Sequence, residues 1–70
     1  MSSLSTYVEK YHGHEYEIHF ANYENGINFS IKAGPLPWRP YRDVTYATYN
    51  EAFSAGVAEA QRLIDNLPAQ

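Results

Sequence analysis

Two alternating segments flank an Asn-Gly pair near the middle of the chain, and no other feature restricts the fold as tightly. In residues 14–21, Tyr16, Ile18 and Phe20 alternate with Glu15, Glu17 and His19; in residues 27–32, Ile27, Phe29 and Ile31 alternate with Asn28, Ser30 and Lys32. Period-two alternation marks a sheet with one buried and one wet face. Asn25-Gly26 between them is a strong hairpin signal, because a type I′ turn needs positive φ at both central positions. A turn on that pair sets Glu24 opposite Ile27, Asn22 opposite Phe29 and Phe20 opposite Ile31. Ile18, Phe20, Ile27, Phe29 and Ile31 then share one face, which a slip of one residue would scatter. On the other face this register sets His19 opposite Lys32, Ala21 opposite Ser30 and Tyr23 opposite Asn28.

The rest of the chain supplies what the hairpin needs. Strands are expected over residues 14–23 and 27–33. Residues 1–12 read as a loose lead-in, because Gly13 interrupts the short alternation from Tyr7 to Tyr11. Pro35, Pro37 and Pro40 exclude helix and central strand between them, so residues 35–42 read as a stiff, extended loop. Residues 43–47 read as a third strand, with Val44 and Tyr46 inward. Thr48-Tyr49-Asn50-Glu51 fits a capping box, and a helix follows over residues 49–66. Phe53, Val57, Ala60, Ile64 and Leu67 form its apolar stripe, Gly56 beside the stripe lets it sit close on the sheet, and Pro68 ends it. The expected architecture is a single α+β domain: a three-stranded antiparallel sheet (βββ), in order 1-2-3, with one C-terminal helix packed on one face.

Size and composition narrow the function classes. A chain of 70 residues without cysteine excludes disulfides and thiolate metal sites as staples, and fits a reducing, cytoplasmic setting. A formal net charge of −3 opposes general affinity for phosphate backbones or anionic lipid. No apolar run approaches the ~20 residues of a membrane span. Residues 1–6 lack the basic start and apolar core of a secretion signal. Seven Tyr, three Phe and one Trp suit either a small core or a binding surface.

Tyr11, Gly13, Tyr16 and Ile18, then the hairpin, then Thr48, Glu51 and Ala52, and finally Ala60, Ile64 and Asp65 make a pattern. It resembles a loose group of small, mostly uncharacterised bacterial and phage βββα domains, across residues 11–67. The same element order is similar to plant GCC-box-binding and integrase arm-binding domains. Those read DNA with an exposed sheet face rich in Arg, Lys and Trp, a pattern from which this chain departs.

Catalytic and metal chemistry find little support in the residues. His12 and His14 would point the same way if extended, with His19 on the opposite face, but their spacing matches no metal motif. Glu15, Glu17 and His19 fall on the wet face, and a domain this small has little room for a cleft of roughly 300 Å³. No enzyme activity, cofactor, metal or small-molecule ligand is expected. The sharpest local feature is the Pro-bracketed Trp38, Arg39, Tyr41 and Arg42, residue types enriched at interface hot spots. Covering the end of the core is an equal alternative for Trp38. With Lys32, Tyr23 and His19 these residues form the candidate partner-binding set. The expected function is a non-enzymatic interaction module that binds another protein, or itself, through the 36–42 loop and an exposed strand edge. A phage-type inhibitor or adaptor is the narrower version. The alternative is a nucleic-acid-binding domain of the integrase-arm type.

Overall fold

The computed structural model describes residues 4–67, the side chains of Leu4 and Arg42 excepted. Residues 1–3 of the expected lead-in, and the stop at Pro68, lie outside the described residues. The elements run β1 (Leu4–Tyr11), β2 (His14–Tyr23), β3 (Gly26–Ala33), β4 (Arg39–Tyr46) and α1 (Tyr49–Asp65). The α+β class holds, but the sheet has four strands, in consecutive antiparallel order β1-β2-β3-β4.

The added strand is β1, where a loose lead-in was expected. Its turn is His12-Gly13, with φ of +49° and +81°, the double positive φ of a type I′ hairpin. Gly13 therefore reverses the chain where it was read as an interruption, and Tyr11 pairs with His14. The alternation in β1 is disguised because its polarity is mixed. Tyr7, Glu9 and Tyr11 share the face of Ile18, Tyr16 and His14, while Val8 points to the other side. Glu9 lies on the helix side of the sheet but stays exposed, and Tyr16 donates its hydroxyl to the Glu9 carboxylate at 2.6 Å.

The central hairpin keeps its predicted faces but not its predicted register. Tyr23 pairs with Gly26, Asn22 with Ile27, Phe20 with Phe29 and Ile18 with Ile31. The turn lies at Glu24-Asn25, and of the Asn-Gly pair only Gly26 has positive φ, at +134°. A Cβ on Gly26 would lie 2.9 Å from the Thr45 Cβ and 3.0 Å from the Tyr46 carbonyl, so the glycine admits the end of β4. The displacement from the expected register is an even number of residues, which leaves every side chain on its own face. On the outer face His19 consequently pairs with Ser30, Ala21 with Asn28 and Glu17 with Lys32.

β4 begins earlier than expected and takes in Arg39, Pro40 and Tyr41. Proline is compatible with an edge strand, where a missing N–H can face solvent, and Pro40 pairs with Ser30. Phe29 pairs with Tyr41 and Ile27 with Tyr46. Four residues, 42–45, thus stand against Asn28 alone, an irregular bulge that returns Tyr46 to the core face and stacks it on Phe29 with ring centroids 5.8 Å apart. Val44, expected inward, falls in the bulge and is 52% exposed.

Thr48 caps α1. Its backbone is extended, its Oγ1 accepts the Glu51 N–H at 3.2 Å, and its hydroxyl donates to the Glu51 carboxylate at 3.3 Å. The helix buries Ala52, Gly56, Ala60, Leu63 and Ile64. The expected stripe is thus rotated: Phe53, Val57 and Leu67 are only partly buried at the margins of the core. The reason is distance. Small residues occupy the line of closest approach, where a Cβ on Gly56 would meet Ile18 at 3.4 Å and Phe20 at 3.6 Å. Large residues fit only at the flanks, as Phe53 does against Tyr7, with ring centroids 4.8 Å apart. Tyr16, Ile18, Phe20, Ile27, Phe29, Ile31 and Ala33 complete the core from the sheet.

Candidate interaction surface

Among the described residues the sheet has a helix on one face, and the other face is left open. Alternation along β2 and β3 puts Glu15, Glu17, His19, Ala21 and Tyr23 on it, beside Asn28, Ser30 and Lys32. β1 adds Thr6, Val8 and Lys10. Trp38 immediately precedes β4 and crosses over this face. Its ring centroid lies 4.4 Å from that of His19 at an interplanar angle of 48°, and the residue remains 43% exposed. His19 is held from the other side by Glu17, whose carboxylate accepts from the imidazole at 2.6 Å. The indole therefore rests against an imidazole that is itself hydrogen-bonded, and part of it faces solvent. Lys32 donates to the Gly34 carbonyl at 3.2 Å, which anchors the start of the loop carrying Trp38.

Leu36, Pro37, Trp38, Arg39 and Leu63 also line a shallow groove. Its walls are the rigid Pro-containing loop and the last turns of α1, so Trp38 borders both the groove and the open face. Leu36 folds back onto the core, with its N–H bonded to the Ala33 carbonyl at 3.0 Å. That contact fixes the loop at little entropic expense, since Pro35 and Pro37 already restrict it.

The candidate residues thus divide into two groups. Trp38, His19, Lys32 and Tyr23 belong to the open face. Tyr41 and Arg39 share the helix side, at the register positions of Phe29 and Ile31. The Arg42 side chain lies outside the described residues. Tyr41 packs on Phe29 with ring centroids 5.1 Å apart and donates its hydroxyl to Glu59 at 2.7 Å. Glu59 also takes two hydrogen bonds from the Arg62 guanidinium, one of them from Nε at 2.8 Å. This Tyr41–Glu59–Arg62 cluster clamps β4 to α1. Its sequence signal is slight: Glu59 and Arg62 are polar residues off the helical stripe, and their spacing of three is the local sign of a pair. His12, read as a partner of His14 in an extended segment, sits in the turn instead. Its Nδ1 is 3.4 Å from Asp65, which also accepts the Tyr11 hydroxyl at 3.2 Å.

The clamp has an acid and an alkaline limit. The Arg62 guanidinium, followed by the Tyr41 hydroxyl, holds the Glu59 carboxyl down at about 2 against the opposing effect of burial. Burial, reinforced by hydrogen bonds to Glu59 and Glu9 respectively, pushes the Tyr41 and Tyr16 phenols up to about 12. A carboxyl lowered in the folded state stabilises it above the ordinary carboxylate range, and that stabilisation is lost as pH falls through 2. Phenols raised in the folded state stabilise it below their ordinary value of 10, and that stabilisation is lost as pH rises through 12. Chemical denaturation across pH should therefore show stability falling between about 4.5 and 2 and again between 10 and 12. Glu59→Gln should flatten the acid limb. An acid limb equally steep in that variant would remove Glu59 from the account.

Comparison with family models, with curated proteins and with solved structures returned no match. Among the described residues no helix is long and apolar enough to cross a membrane.

Proposed function

We propose that this chain is a non-enzymatic interaction module that docks a protein partner on its open sheet face, centred on Trp38. The observation that carries this reading is the partly exposed indole packed at a tilt against His19 beside an apolar groove. Tryptophan offers a large contact area with few rotatable bonds, and such anchors dominate interface energies. Here the indole is pre-positioned by its contact with His19 and by a proline-stiffened loop, which lowers the ordering cost of binding. The groove lined by Leu36, Pro37 and Leu63 suits an apolar side chain of the partner. Carboxylates and ammonium groups share the open face with the indole, among them Glu15, Glu17, Lys10 and Lys32. A mixed rim fits a protein surface better than a phosphate backbone, which needs a single-sign field. A cysteine-free chain also fits a reducing cytoplasm.

The test is quantitative capture with the immobilised full chain and its Trp38→Ala variant, each verified as folded by circular dichroism. A partner bound through the indole should lose about 30-fold in affinity in the variant, the loss expected of a hot-spot tryptophan. Equal retention of every captured protein by both chains would defeat the reading. So would a nucleic-acid mobility shift at low salt that collapses with added salt in the absence of any protein partner.

A further inference from the structure

The two edges of the sheet, β1 and β4, are built differently. β4 carries Pro40 and the bulge over residues 42–45, devices that blunt an edge against pairing with another chain. β1 has neither: its eight residues contain no proline and pair with β2 in one unbroken register. In an antiparallel ladder, successive residues direct their backbone groups alternately to one side and the other. The His12-Gly13 turn joins Tyr11 and His14 as a directly paired couple, so Ser5, Tyr7, Glu9 and Tyr11 bond to β2. Thr6, Val8 and Lys10 consequently aim their N–H and C=O groups away from the sheet. Val8, midway along this row, is an apolar side chain 49% exposed.

We propose that the chain dimerises through β1, two copies pairing antiparallel about a two-fold axis at Val8 to form one continuous sheet. The edge is self-complementary in that register. Val8 meets Val8 of the second copy, Thr6 meets its Lys10, and Tyr7 meets its Glu9, so no like charges stand opposite each other. Each outward backbone donor finds an outward acceptor, as an isologous contact requires. Both helices fall on the same face of the extended sheet, because the two strands pair with matched side-chain phase. A shift of one residue would set the helices on opposite faces and put Val8 beside Tyr7. The gain is considerable for a chain this short, which by itself buries only ~60% of its unfolded surface. The contact runs through the β1 backbone and uses neither Trp38 nor the groove, so the two proposals are tested separately, although Thr6, Val8 and Lys10 also belong to the open face.

Sedimentation of the full chain from roughly 1 μM to 1 mM, the span of micromolar to millimolar affinities, reads the proposal directly. The mass should rise to twice that of the chain, and Trp38→Ala should leave that rise unchanged. Val8→Pro removes one outward N–H without touching a bond to β2. Val8→Lys sets two ammonium groups face to face across the axis. Both variants should stay monomeric throughout with an unchanged far-ultraviolet spectrum, whereas Val44→Lys on the opposite edge should still dimerise. If the proline variant fails to fold, the lysine variant carries the test. A folded wild-type chain that is monomeric at every concentration overturns the proposal, as does a dimer that survives the Val8 substitution.

Discussion

Phe20→Ala is expected to remove a large share of the domain's stability. Phe20 is buried at the centre of the molecule, with its ring centroid 5.1 Å from Tyr49 and 6.1 Å from both Phe29 and Phe53. It is therefore the ring through which β2, β3 and α1 meet. Truncating a buried phenylalanine to alanine costs about 3–5 kcal/mol, because transfer free energy is lost and a cavity remains. At roughly 0.05–0.15 kcal/mol per residue, the whole stability of a chain this size is about 4–10 kcal/mol. One substitution thus removes a large share of it. Thermal denaturation should show a midpoint lowered by at least about 15 °C, or no cooperative transition. A variant melting within a few degrees of the wild type would show that the core does not hinge on this ring.

The second large effect belongs to Gly56. Leucine there should lower stability by about 3 kcal/mol, the upper range for overpacking a close-packed site. A Cβ at this position already meets Ile18 Cδ1 and Cγ2 at 3.4 Å and Phe20 Cε1 at 3.6 Å, so further carbons must push the helix off β2. Alanine separates this cause from helix propensity. Its single carbon reaches ordinary contact, and replacing glycine inside a helix gains about 1 kcal/mol. Gly56→Ala should therefore hold or raise the melting temperature, while Gly56→Leu lowers it on the order of 15 °C. Equal losses in both variants would mean that close approach of helix and sheet is not what the glycine provides.

Side-chain periodicity was legible from one chain alone wherever polarity followed it. Tyr16, Ile18 and Phe20 in β2 and Ile27, Phe29 and Ile31 in β3 all reached the predicted face, because an even displacement of register does not exchange faces. The Thr48 cap was equally legible, since a cap is decided within four residues. β1 was not, because it sets Glu9 on the helix side and Val8 on the open side, both exposed, so polarity does not mark its faces. The early start of β4 was hidden by Pro40, whose effect depends on whether the strand is an edge. Of the candidate surface, the loop bearing Trp38 was identified in advance. Its contact with His19 joins residues on either side of β3, a distance that spacing along the chain does not encode. Arg39 and Tyr41 went to the opposite face of the sheet.

The sequence by itself determined the face of each core side chain in the central hairpin, the start of the helix and the α+β class. These depend on contacts between neighbours or on a two-residue repeat, both of which are properties of a single segment. Tertiary structure alone decided the number of strands, the register of each pair, the rotation of the helix toward Ala52, Gly56 and Ala60 and the placement of Trp38 over His19. Each of those is a competition between segments for the same space, settled by which packing brings the small residues of α1 onto β2 and β3 and leaves the large ones at the margins.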